Sequence, residues 1–134
     1  MTDDELLSGF EGCTLPNEAF HHQEHVRVAF LYLLRYPALQ ALKHFSSAIR
    51  RFAEAHGKTT LYNETVTWAY ILLIRERMAR IGHPQSWPEF QAENPDLFDR
   101  KRDLLKRYYR PETLQSELAK RIFLLPDRFE ERPR

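Results

Sequence analysis

The stretch AFHHQEHVRVAFLYLLRYP, residues 19–37, combines helical periodicity with three histidines. A helix turns about 100° per residue, and at that step the apolar side chains of the stretch gather on one arc and the charged ones on the opposite side. His22 falls inside the apolar arc, His25 at its shoulder and His21 nearer the boundary. The arc itself is made by Val26, Ala29, Phe30 and Leu33. The stretch therefore predicts an amphipathic helix that turns two imidazoles toward the protein core.

Capping signals around this stretch predict three long helices. Asn17 suits an N-cap and a proline follows Tyr36, so the first long helix is expected over residues 17–36. The second is expected over residues 37–57, opened by a proline and ended by a glycine. The third is expected over residues 63–81, with a glycine directly after it. The short connections between them favour antiparallel packing.

Shorter helices are predicted in the second half of the chain. The sequence SWPE at residues 86–89 is typical of a capping box and predicts a helix over residues 87–93. Asn94 begins another predicted helix that reaches about Tyr109, and Pro111 opens the last one. The fold class expected is all-α: one helical-bundle domain over residues 1–134, with three long helices and two or three shorter C-terminal ones. Residues 1–15 are expected to be a lead-in and residues 126–134 a loose tail.

Composition narrows the class of protein further. The 134 residues fit one domain, and 20 basic against 19 acidic residues give a net charge of +1. Because the positive and negative charges are nearly equal in number, we expect the protein to bind neither nucleic acid nor an anionic membrane. A single cysteine, Cys13, excludes an intramolecular disulfide and a multi-thiolate zinc site. The acidic start has no secretory signal pattern, so we expect a cytoplasmic protein, and a homodimer is left open.

Two inward imidazoles need polar partners, because an unsatisfied buried group costs about 1–3 kcal/mol. The third long helix offers a carboxylate, Glu64, in its first turn. We therefore expect His22 and His25 to face Glu64 across the bundle. Three neighbouring side chains would complete a polar wall around them: Tyr62, Asn63 and Thr67.

Three uses of this site stay open from the residues alone. His22, His25 and Glu64 could bind a divalent metal such as Fe, Mn or Zn. The same residues, with Tyr62, Asn63 and Thr67, could serve as a metal-free acid and base in a small enzyme acting on a small molecule. In the third reading the histidines are structural, and the chain is a non-catalytic module that binds a small ligand or a protein.

Two motifs in residues 17–80 resemble a small bacterial family of uncharacterised helical proteins. The family pattern is Phe-x-His-x-x-His, followed by His-Gly and by Tyr-His-Glu-Thr-x-Thr. The matching residues are Phe20, His22 and His25, then His56, Gly57, Tyr62, Glu64, Thr65 and Thr67. Asn63 stands where the pattern has histidine, and asparagine cannot act as a base near neutral pH. The resemblance implies a shared site but names no activity.

The segment HHQEHVR, residues 21–27, is also similar to the His-x-x-x-His-Arg motif of DinB-like metal-binding four-helix bundles. His21 and His25 match its two histidines. In that superfamily the motif comes late in the chain, after another histidine, whereas here it comes early.

Overall fold

The structure, a computed structural model, describes residues 1–99 and 103–128. This part of the chain contains seven α-helices and no strand, which confirms the all-α class. The helices are α1 (Asp3–Glu11), α2 (His22–Arg35), α3 (Ala38–Ala55), α4 (Glu64–Ile81), α5 (Trp87–Glu93), α6 (Pro111–Leu114) and α7 (Glu117–Arg121). None of these helices is long and apolar enough to cross a lipid bilayer.

Helix α2 lies at the centre of the fold. It packs against both α3 and α4, and these two also contact each other. Val26, Ala29 and Phe30 are buried, as the helical period predicts. Val28 and Tyr32 are buried as well, because α1 covers a further side of α2. Helix α2 is therefore apolar around more of its circumference than an amphipathic surface helix.

The N-terminal residues form a helix rather than a lead-in, so that prediction was wrong. The side chain of Thr2 accepts a hydrogen bond from the backbone N–H of Glu5 at 3.1 Å and caps α1. Leu6 and Phe10 are 0% exposed and belong to the main core. Burial of these side chains on α2 and α3 is what makes a nine-residue helix stable.

The first long helix begins at His22 and not at Asn17. Residues Asn17–Ala19 form a 3-10 turn, and the side chain of Asn17 caps no helix. Phe20 follows this turn in a non-helical conformation and is buried, with its ring 4.8 Å from the ring of Phe10 and 4.8 Å from that of Phe52. Packing of Phe20 into this aromatic cluster overrides the local helix signal.

The ends of α3 and α4 agree closely with the predicted limits. Gly57 and Gly82 follow the two helices with φ of 66° and 77°, the left-handed region in which glycine carries no steric penalty. Asn63 is the N-cap of α4: its Oδ1 accepts a hydrogen bond from the N–H of Val66 at 3.0 Å. The predicted short helix α5 is capped by Ser86.

The predicted helix over residues 94–109 is not formed. The chain makes a 3-10 segment at Pro95–Phe98 and another at Leu104–Arg107, and residues 100–102 lie outside the described part. Leu97 and Leu104 are both buried. Each leucine therefore enters the core from its own 3-10 segment, Leu97 from the first and Leu104 from the second.

The predicted loose tail is anchored where the structure describes it. The N–H of Asp127 donates to the carbonyl of Tyr108 at 3.0 Å, and its carboxylate accepts from the N–H of Arg110 at 2.9 Å. Asp127 also accepts a hydrogen bond from the hydroxyl of Thr113. Residues 126–128 are thus held against the turn before α6, and residues 129–134 lie outside the described part.

Candidate functional site

A cleft of about 180 Å³ lies between α2, α3 and α4. Its polar lining includes five of the six site residues predicted from the sequence: His22, His25, Tyr62, Asn63 and Thr67. The sixth, Glu64, is linked to the cleft through Tyr62, whose hydroxyl donates to Glu64 Oε1 at 2.7 Å. Two distant sequence motifs therefore do meet at one cavity.

His22 is held by the backbone and not by a carboxylate, which corrects the expected partner. Its Nε2 lies 2.7 Å from the carbonyl oxygen of Leu97, and its ring meets Tyr70 edge-on at 5.2 Å. A carbonyl oxygen can only accept, so Nε2 carries the proton. In the neutral ring Nδ1 is then the hydrogen-bond acceptor.

An ion pair fixes the carbonyl that holds His22. Arg77 of α4 donates two hydrogen bonds of 2.8 Å to the carboxylate of Asp96, and a third of 3.1 Å to Oδ1 of Asn94. These hydrogen bonds from Arg77 hold the pKa of the Asp96 carboxyl below its ordinary value. Leu97 is the next residue, so Arg77 sets the position of the segment on which His22 depends.

His25 lies where the cleft meets a larger cavity of about 360 Å³. Its ring centre lies 4.2 Å from that of Phe20, with the two ring planes tilted by 32°. The larger cavity is lined on its far side by Phe20, Phe52 and Lys58, among others. Four residues line both spaces: His25, Ile49, Leu61 and Tyr62. The two spaces therefore adjoin along these residues.

Glu64 is almost buried, with its side chain 12% exposed, and its oxygens are engaged. Oε1 accepts hydrogen bonds from the hydroxyl of Tyr62 and from Nε1 of Trp68, both at 2.7 Å. Oε2 accepts one from Nη2 of Arg50, also at 2.7 Å. None of these donors is a histidine. Glu64 is therefore not the hydrogen-bond partner of His22 that the sequence predicted, since its partners come from α3, α4 and Tyr62 while His22 meets the Leu97 carbonyl.

The residues do not fit the predicted metal site. The described part of the chain, residues 1–99 and 103–128, contains no group of three or more His, Cys, Asp or Glu side chains arranged to hold a metal ion. His22 uses Nε2 for the Leu97 carbonyl, and both oxygens of Glu64 are hydrogen-bonded to other side chains. His22, His25 and Glu64 are therefore not a ligand set for Fe, Mn or Zn in this structure.

Asn63 and Thr67 have clear structural roles beside the cleft. Asn63 caps α4 with its oxygen and donates from Nδ2 to the carbonyl of Leu114 at 2.7 Å. The hydroxyl of Thr67 donates to the carbonyl oxygen of Asn63 at 2.8 Å. Asn63 thus ties the start of α4 to α6, a task that needs an amide and that histidine could not perform in the same way.

Tyr70 is the polar cleft residue that sequence reasoning missed. It lies three residues after Thr67, one turn along the same face of α4, which is the signal that could have found it. Its hydroxyl donates to Oδ1 of Asp103 at 3.1 Å. The apolar remainder of the lining was missed as well: Val26, Ile49, Leu61, Val66 and Ile74.

Both cleft tyrosines are held in the protonated form. Burial raises the pKa of Tyr62 far above its ordinary value of 10.0, and the hydrogen bond to Glu64 raises it further. Burial also raises the pKa of Tyr70 above 10.0, together with the charge of Asp103. Neither phenol is a base at neutral pH, so both serve as neutral hydrogen-bonding groups.

We expect these tyrosines to make stability depend on alkaline pH. An unfolded tyrosine ionises near pH 10, about its unperturbed value. Because the folded pKa values are raised, the stabilisation is fully present below about pH 10 and is lost as pH rises above it. Urea unfolding at several pH values should show a shallower alkaline loss in a Tyr62→Phe/Tyr70→Phe variant. A Tyr108→Phe control alters an exposed ring, and equal slopes in the double variant and the wild type would contradict this expectation.

Comparison of the chain with protein-family models, with curated proteins and with solved structures finds no match. The resemblance of its two motifs to an uncharacterised bacterial family stays a prediction. The geometry of the cleft is therefore the feature of the molecule that bears on its function.

Proposed function

We propose that the chain binds a small organic molecule in the cleft between α2, α3 and α4. The observation that carries this proposal is the meeting of His22, His25, Tyr62, Asn63 and Thr67 at one cavity of about 180 Å³. Apolar side chains share its walls, so a ligand would find contact area together with a few placed polar groups. This combination is typical of small-molecule sites.

The adjoining cavity of about 360 Å³ supports a ligand with two parts. One part would lie among the polar groups of the cleft, and the other would extend past His25 toward the rings of Phe20 and Phe52. Leu61 lines both spaces although the residue is 71% exposed. An exposed leucine at this rim is suited to fold over a bound apolar group.

Filling the cleft should abolish binding. Val66 lines the cleft without being part of the fully buried core, so Val66→Phe is expected to occupy the space a ligand would use. A screen of small organic fragments against ¹⁵N-labelled protein should find compounds that move the amide signals of Val66 and Thr67. The same compounds should bind Val66→Phe at least about tenfold more weakly, a difference of about 1.4 kcal/mol.

Leu39→Phe is the matched control for this experiment. Leu39 is 82% exposed on α3 and outside the cleft, so its replacement adds the same ring without closing the cavity. Binding in the control should equal that of the wild type. Fragments that bind Val66→Phe as tightly as the wild type, or a screen in which no fragment moves the cleft signals, would show that the cleft is not a binding site.

Catalysis is a second candidate, favoured by the way His22 is held. With Nε2–H fixed on the Leu97 carbonyl, the neutral ring keeps the Nδ1 lone pair, the arrangement a general base requires. Bound fragments carrying an acidic proton or a hydrolysable bond would be incubated with the protein and followed by NMR. Conversion by the wild type but not by His22→Asn would support an enzyme. Unchanged compounds would favour a binding module with structural histidines.

A further inference from the structure

Five side chains on the wall of the cleft already donate a polar hydrogen within the protein. Hydroxyl, amide and imidazole donors from α2, α4 and the turn before α4 each have an acceptor within the protein. The bonds run from His22 Nε2 to Leu97 O, Tyr62 Oη to Glu64 Oε1, Asn63 Nδ2 to Leu114 O, Thr67 Oγ1 to Asn63 O and Tyr70 Oη to Asp103 Oδ1. A ligand would therefore meet few hydrogens from these five side chains.

These side chains still have lone pairs that can accept hydrogen bonds from a ligand. A phenol that donates its only hydrogen still has two lone pairs, so Tyr62 and Tyr70 can accept but not donate. The neutral ring of His22 keeps the Nδ1 lone pair for the same reason. The carboxylates of Glu64 and Asp103 accept from the two phenols and polarise them toward negative charge on oxygen. At Glu64 the ion pair with Arg50 offsets part of this effect.

We propose that the ligand of this cleft presents hydrogen-bond donors and is a small protonated amine with an apolar body. The ammonium group would donate to the phenolic oxygens of Tyr62 and Tyr70, and the apolar body would lie against Val26 and Val66. The inference deepens the proposed function and rests on it. The lone pairs of an anionic ligand would face the lone pairs of the wall and be repelled by them. Such a ligand would also lose its hydrogen bonds to water and gain none from the protein in return.

The aromatic character of the wall favours a cation for a second reason. The faces of tyrosine rings carry negative electrostatic potential and attract ammonium and guanidinium groups. The guanidinium of Arg50 already lies over the Tyr62 ring, 5.0 Å from its centre, so this ring is taken by a cation of the protein itself. Tyr70 offers another such ring at the cleft, beside the edge of His22.

Three probes of matched size separate charge from shape: benzylamine, benzyl alcohol and benzoate. Each would be titrated into ¹⁵N-labelled protein at neutral pH while the amide signals of Val66 and Thr67 are followed. Benzylamine, protonated under these conditions, is expected to bind about tenfold or more tightly than benzyl alcohol. Benzoate is expected to leave the signals in place.

Two variants test the phenolic oxygens directly. Tyr62→Phe and Tyr70→Phe each remove one acceptor and keep the ring, so each should reduce the ratio of benzylamine to benzyl alcohol affinity. Tyr108→Phe, outside the cleft, should leave the ratio unchanged. A ratio that stays the same in both cleft variants would overturn the assignment to these oxygens.

The outcomes distinguish this inference from the proposed function. If benzyl alcohol or benzoate moves the cleft signals as tightly as benzylamine does, the amine preference is wrong and the cleft is still a binding site. The same holds if other fragments bind there and none of the three probes does. If no compound of any charge moves these signals, both proposals are wrong.

Discussion

Phe10→Ala is expected to lower the free energy of unfolding by about 3–5 kcal/mol, the range for removing a fully buried aromatic ring. Phe10 is 0% exposed, and its ring centre lies 4.8 Å from that of Phe20 and 5.6 Å from that of Phe52. Truncation removes these contacts and leaves a cavity that the surrounding helices cannot fully close. Urea unfolding followed by circular dichroism measures the change.

The control for this change is Glu5→Ala, at an exposed position of the same helix. It should alter the free energy of unfolding by no more than about 0.5 kcal/mol, as surface substitutions do. The difference between the two variants in unfolding free energy shows whether α1 unfolds together with the core. A loss below about 1 kcal/mol for Phe10→Ala would mean that α1 can detach while the rest of the fold persists.

Replacing Phe10 should also affect the larger cavity, because the two aromatic rings that contact Phe10 form part of the wall of that cavity. Phe20 and Phe52 both line the space of about 360 Å³ next to His25. The N-terminal helix thus supports the candidate site from behind. Fragments that extend into this space should bind Phe10→Ala more weakly, while those confined to the smaller cleft should be less affected.

Periodicity and capping predicted α3, α4 and α5 well because their limits depend on local chemistry. A glycine with positive φ follows each of the two longest helices, and the Asn63 and Ser86 side chains cap α4 and α5. Each signal acts within one turn of the chain. Each can therefore be recognised in the sequence without knowledge of the tertiary structure.

The N-terminal helix and the segment after α5 were harder for different reasons. The sequence did contain a signal for the N-terminal helix. Thr2 is a suitable N-cap, acidic residues follow it, and Leu6 and Phe10 are one turn apart. No local signal predicts that the chain forms a 3-10 segment at Pro95–Phe98 in place of a long α-helix. This segment arises from the tertiary position of Asp96, which pairs with Arg77 of α4, and of the buried Leu97.

The composition of the site was easier to predict than its hydrogen bonds. Helical spacing placed His22 and His25 inward, and the first turn of α4 was the correct neighbour. The partner of His22 is a backbone carbonyl, however, and every residue carries one. Residue type cannot show which carbonyl an imidazole will meet. Glu64 met Trp68, one turn later on α4, and Arg50, whose approach depends on how α3 packs on α4.

Thr65→Val is expected to cost about 2–4 kcal/mol of unfolding free energy, because two partly buried backbone groups would lose their partner and the buried hydroxyl would be removed. Thr65 is 0% exposed in the first turn of α4. Its hydroxyl donates to the carbonyl of Ile122 at 2.7 Å and accepts from the N–H of Leu124 at 3.1 Å. Valine has nearly the same shape but can neither donate nor accept.

Thr65→Ser separates the hydroxyl from the methyl group. Serine keeps both hydrogen bonds and removes one buried methyl, so it should cost only about 1 kcal/mol. Chemical denaturation of the two variants gives the difference directly. Amide hydrogen exchange at Leu124 should quicken in Thr65→Val and stay slow in Thr65→Ser. If valine were as stable as serine, the hydroxyl would not be what holds the C-terminal segment on α4, and packing alone would have to account for its position.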